Sequence, residues 1–102
     1  MKGRLSRDAS GRLFFSGHEV EARAYEAECR RVAERFDLVA QGERLAGIDL
    51  VSQRYAGGEG TVVLEWDNWC GFMVVAEDPG AEPLVRRISL FLDPDVDHRS
   101  AV

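Results

Sequence analysis

The residues whose types could do chemistry are few: Cys29 and Cys70, His18 and His98, the carboxylates Asp93, Asp95 and Asp97, and the turn Gly57-Gly58-Glu59-Gly60. A thiolate nucleophile needs a base to orient it, and no local pattern sets either histidine beside either cysteine. The two cysteines are also too few and too far apart in sequence for a disulfide framework or a zinc site, and both read as reduced. His18 and Glu21 fall one helical turn apart, as two metal ligands do, but no second ligand pair accompanies them. The aspartates from Asp93 open like a calcium loop, yet His98 stands where glycine is needed and the chain ends before a twelfth-position glutamate. The glycine turn leads into an extended segment, whereas a phosphate-cradling loop opens a helix, so it reads as a hairpin turn. Ser16 is accounted for as a helix cap, and no nucleophile-elbow sequence occurs. The residues therefore point to no catalytic group, no metal and no cofactor.

What remains is a pair of tryptophans. Asp67-Asn68 reads as a two-residue turn, which would set Trp66 directly across from Trp69. In that register one face of the hairpin carries Val62, Leu64, Trp66, Trp69, Met73 and Val75, and the other carries Val63, Glu65, Cys70, Phe72 and Val74. Large aromatics usually supply core, but tryptophan is also enriched at interface hot spots, and Asp67 could meet a basic side chain. Trp66, Asp67, Asn68, Trp69, Val63 and Phe72 are therefore the expected partner-binding residues.

The elements that must position them follow from periodicity. Ser16 and Glu19 have capping-box spacing and Phe15 and Val20 that of a hydrophobic staple, which predicts a helix starting near residue 17. Ala22, Tyr25, Cys29, Val32, Ala33 and Phe36 form its buried stripe, with Glu19/Arg23 and Glu26/Arg30 as outward i,i+4 pairs. Leu38 to Ala40 and Ile48 to Tyr55 read as strands, Thr61 to Asp67 as the clearest strand, and a helix follows Pro83 through Leu84, Val85, Ile88, Phe91 and Leu92. Asp93-Pro94 stops that helix. Arg12 to Phe15 reads as an edge strand that Asp8 to Gly11 could turn back onto Arg4 to Ser6.

The expected fold is α+β, in the order β-α-β-β-β-α. An antiparallel sheet of 3–5 strands has a long N-terminal amphipathic helix and a shorter C-terminal helix packed on one face. The expectation is one domain over residues 1–102, with 1–10 and 94–102 flexible. From His18 onward this order is also that of double-stranded-RNA-binding domains, and Arg86 and Arg87 open the last helix. They stand beside Glu77, Asp78 and Glu82 in a chain of formal charge −5, which argues against a nucleic-acid partner. No apolar run reaches membrane-spanning length, so the expectation is a cytoplasmic protein without a membrane partner. Twelve of the 13 basic residues are arginine, a skew that suggests a GC-rich bacterial source.

The sequence thus predicts a non-enzymatic interaction or regulatory module, acting as a homodimer or on a protein partner. An acidic inhibitor or immunity-type protein, with Glu59, Glu65 and Asp67 meeting a basic surface, is the specific form. The alternative is an enzyme or small-ligand domain with a pocket between helix and sheet, using Tyr25, Cys70 and Glu65.

Overall fold

In the computed structural model, residues 1–97 are described. They form a six-stranded antiparallel sheet covered on one face by two helices. The strands are β1 (Arg4–Arg7), β2 (Leu13–Gly17), β3 (Val39–Ala46), β4 (Leu50–Gly57), β5 (Gly60–Asp67) and β6 (Gly71–Ala76). The helices are α1 (Tyr25–Phe36) and α2 (Glu82–Leu92), each led in by a single 3-10 turn, over Ala22–Ala24 and Pro79–Ala81. The chain order is β-β-α-β-β-β-β-α and the sheet order β1-β2-β6-β5-β4-β3, so the expected 3–5 strands and single leading strand are corrected to six and two. The order helix, three strands, helix of double-stranded-RNA-binding domains is absent, because four strands separate the helices.

Two strands exceed the expected order: one of the four between the helices, and β1, onto which the sequence allowed the Asp8 to Gly11 turn to return. Asp8 accepts from the amides of Ser10 and Arg12, closing a tight turn that returns β2 onto Arg4–Arg7. Residues 4–7 are therefore paired, and β2 lies inside the sheet between β1 and β6 rather than at its edge. The helix start is corrected as well. Ser16 belongs to β2, and its hydroxyl donates to the Cys70 carbonyl at 2.8 Å, while Phe15 is fully buried as a strand residue. The chain turns at Gly17–Val20, and α1 begins only at Tyr25, with no side-chain cap. Glu19 is thereby outside the helix, Glu26 pairs with Arg44 of β3, and Arg31 pairs with Glu28.

Tyr25, Cys29 and Val32 of the predicted stripe are buried and Ala33 and Phe36 pack against the same core, but Ala22 is exposed in the 3-10 turn before α1. Helix α2 starts with Pro83 in its first turn and buries Leu84, Val85, Ile88 and Leu92, as its spacing predicts. Beneath them lie Leu13 and Phe15 of β2, Val62 and Leu64 of β5, and Phe72, Val74 and Ala76 of β6. Asp93 ends α2, but the segment after it is not a loose tail over residues 93–97. Asp93 is buried and accepts the Gly3 amide at 2.9 Å, and Val96 is fully buried. Residues 98–102 of the expected flexible tail, His98 among them, lie outside the described residues.

The largest correction concerns register. Asp67 pairs with Gly71 and Trp66 with Phe72, so the β5–β6 loop has three residues, Asn68-Trp69-Cys70. One Asp67 carboxylate oxygen accepts the amides of Trp69 and Cys70, and Gly71 takes the left-handed φ of 69° that returns the chain to the ladder. A side chain there would also collide with the Gly17 carbonyl and the backbone of His18. One extra loop residue moves every β6 side chain to the face opposite the expected one. Phe72 and Val74 join Val62, Leu64 and Trp66 beneath the helices, while Met73 and Val75 join Val63 and Glu65 on the other side.

Candidate functional site

The helix-free face is assembled row by row from cross-strand partners, which share a face. One row runs Phe14, Val75, Val63, Arg54; the next runs Ser16, Met73, Glu65, Ser52, Leu45; a third sets Asp67 beside Leu50. Two adjoining depressions mark this face. A cleft of about 210 Å³ is lined by Phe14, Val63, Met73 and Val75 along its floor, with Asp8, Arg12, Glu65, Asp67 and Cys70 around them. A shallower one of about 270 Å³ shares Arg12, Val63 and Glu65 with it and extends to Glu43, Leu45, Arg54 and Glu77.

The polar lining carries five carboxylates (Asp8, Glu43, Glu65, Asp67, Glu77) and two guanidiniums (Arg12, Arg54). Arg12 pairs with Asp8 at 2.9 Å and Arg54 with Glu77. That leaves Glu43, Glu65 and Asp67 without an ion pair among the described residues. Asp8 is held at about 2, below the usual carboxylate range, by the Ser10 hydroxyl and the Arg12 amide. Glu65 behaves oppositely: burial among apolar neighbours pushes its carboxyl up, and its nearest donor, the Ser52 hydroxyl, stands at 3.4 Å. Burial also raises the Cys70 thiol, with Asp67 adding to the shift, so this cysteine is not activated.

The expected binding residues are divided by the corrected register. Val63 and Asp67 line the cleft. Asn68 and Trp69 stand on the loop beside it, Trp69 79% exposed. Trp66 lies on the opposite face, half-buried, its indole N–H donating to the Val20 carbonyl at 2.8 Å, so the two tryptophans do not pair. Phe72 is fully buried under the helices. Glu59 sits in the β4–β5 turn paired with Arg87 of α2, apart from Glu65 and Asp67. Leu45 and Leu50 are exposed on the cleft side of the sheet, and Ile48, 99% exposed, tips the loop between their strands. Sequence reasoning missed Asp8, Arg12, Phe14, Met73, Leu45 and Leu50. The alternation Arg12, Phe14, Ser16 carried part of that signal, but it had been assigned across a helix start.

A pocket between helix and sheet built from Tyr25, Cys70 and Glu65 is not assembled. Tyr25 lies in the core and donates to the Leu64 carbonyl at 2.6 Å, whereas Cys70 and Glu65 line the opposite face. Burial raises the Cys29 thiol to about 11, as expected of a core residue. No group of three or more potential metal ligands occurs among the described residues. No helix there is long and apolar enough to cross a membrane.

The sheet edges beside this face are guarded. Edge strand β3 is exposed throughout, but its pairing with β4 shifts between Gln41 and Leu45, where Gly42 takes a φ of 69°. Gln53, 7% exposed, donates to the carbonyls of Gln41 and Gly42, and Arg44 lies over the Tyr25 ring. A bulge and an inward-turned charge are devices that keep an edge from adding another strand. The other edge, β1, has only four residues.

Compared with family models, curated proteins and solved structures, the chain matches none. The class it defines by fold is an α+β two-layer sheet with both helices on one face and an acidic cleft on the other.

Proposed function

We propose that the protein is a non-enzymatic interaction module that captures a basic protein partner on its helix-free face, in the manner of an acidic inhibitor or immunity-type protein. The observation carrying this reading is Glu65: a half-buried carboxylate over an apolar floor, short of donors, with its charged form disfavoured until a cation arrives. Asp67 and Glu43 share its lack of an ion pair, and Leu45, Leu50 and Trp69 supply exposed apolar contact around them. An arginine or lysine side chain suits this lining, its aliphatic stem against Val63 and Met73 and its charge at Glu65 and Asp67. Stacking this face on a second copy would instead bring like charges together, which favours a different, basic partner over a homodimer.

The test uses a peptide alternating arginine and leucine, titrated calorimetrically against the whole protein. Binding should weaken with salt and fall about tenfold or more in the Glu65→Gln/Asp67→Asn double variant, which keeps the Asp67 loop acceptor. Equal binding by both proteins, or a stable homodimer abolished by the same substitutions, sinks the reading.

A further inference from the structure

At the β1 edge of the sheet, a depression of about 320 Å³ is lined by Lys2, Gly3, Arg4 and His18. In a net-acidic chain this lining holds no carboxylate among the described residues, and it includes the chain's one lysine. Lys2, Arg4 and His18 have no ion pair among the described residues, although the arginines at 7, 12, 23, 31, 44, 54 and 87 all do. From this structure we infer that the corner is an anion-binding site for a phosphate group, independent of the partner reading above.

The convergence follows from the fold. Arg4 pairs with Ser16 at the end of the β1–β2 ladder, and Lys2 and His18, just beyond the paired strands, line the same depression. Between Lys2 and Arg4, the Gly3 amide is clamped to the buried Asp93 carboxylate, whose other oxygen accepts the Asp95 amide. On the far side the His18 backbone lies against Gly71, where no side chain fits. Both backbones that carry these side chains are thus fixed before a ligand arrives, which lowers the ordering cost of binding. Lys2, Arg4 and His18 bring an ammonium, a guanidinium and an imidazole to one depression, donor groups of the kind a phosphate oxyanion accepts from. The exposed Glu19, next to His18, is the nearest carboxylate in sequence and does not line the depression.

Free phosphate and a phosphate monoester share this chemistry. Amide and imidazole shifts are followed by NMR on the whole protein, titrated with inorganic phosphate, adenosine monophosphate, and chloride at matched ionic strength. Saturable shifts at Gly3, Arg4 and His18 with either phosphate, absent with chloride, are expected. Tighter saturation by the monoester assigns an esterified ligand, and equal or weaker saturation assigns the free ion. The Lys2→Gln/Arg4→Gln variant should lose affinity about tenfold or more, while Lys2→Arg retains it. Glu65→Gln should leave the response unchanged, which separates this site from the acidic cleft. Shifts that track ionic strength alone, or that persist in the double variant, overturn the assignment.

Discussion

Phe72 and Met73 are neighbours in β6, and they face opposite surroundings. Phe72 enters a helix-covered layer with Phe15, Val62, Leu64, Val74, Leu84 and Ile88, all fully buried. Met73 points to a face with no helix over it, yet it is only 6% exposed because Phe14, Val63 and Val75 crowd around it. The first layer is apolar throughout and closed by side chains. The second interleaves apolar residues with charges, of which Glu43, Glu65 and Asp67 have no ion pair among the described residues. Both sides of one strand can therefore be buried while helices cover only one of them.

Truncation should expose that difference first. Phe72→Ala leaves a cavity beneath both helices and should cost about 3–5 kcal/mol, enough to unfold much of the population at 37 °C. Val63→Ala on the open face should cost about 1 kcal/mol and reduce capture of the arginine-leucine peptide. Urea titration of both variants checks the pair. A Val63→Ala loss equal to that of Phe72→Ala would break the distinction between the faces.

A second, smaller effect concerns Ser16, which has the spacing of a helix cap and lies in β2. At an N-cap, Asp replaces Ser with little change. In β2, Ser16 must donate to the Cys70 carbonyl at 2.8 Å, and a carboxylate would set oxygen against oxygen. Ser16→Asp should therefore cost about 2 kcal/mol by chemical denaturation. A neutral result would restore Ser16 to a helix terminus.

These two sites also show what was legible. Elements with one dominant period were read well: the Tyr25 to Phe36 stripe, the α2 face after Pro83, the β5 alternation and the Gly57–Gly60 hairpin turn. Three kinds of information were not carried by periodicity. Ser16 and Glu19 have capping-box spacing by coincidence, and the pairing of Phe15 with Val74 decides against it. β1 and β3 are short or exposed throughout, so burial imprints no pattern on them. In β6 all six residues are buried, so neither face is marked as the outer one and register passes wholly to the loop. Gly71 was the available signal, since three-residue hairpin loops use a left-handed residue at that place. Without it the two-residue register sets Phe72 on the face of Val63 and Glu65 and Met73 on that of Leu64 and Trp66, the reverse of the observed arrangement.

The smallest effect bears most directly on function. Burial raises the Glu65 carboxyl, so the folded protein holds this proton more tightly than the unfolded chain. The stability that follows is fully present below the ordinary glutamate range near pH 4, and is lost as pH rises through the folded-state value. Glu65→Gln removes that loss. Its thermal midpoint should match the parent's at low pH and exceed it slightly at pH 7. A cation in the cleft has the opposite preference, since it binds the ionised carboxylate, so the parent's affinity for the arginine-leucine peptide should rise with pH over the same window and the variant's should stay flat. A residue kept for packing would not oppose stability and capture in this way; a residue kept for a partner would. If Glu65→Gln is less stable than the parent at pH 7, Glu65 is already satisfied within the fold and the open face loses its strongest claim to a ligand.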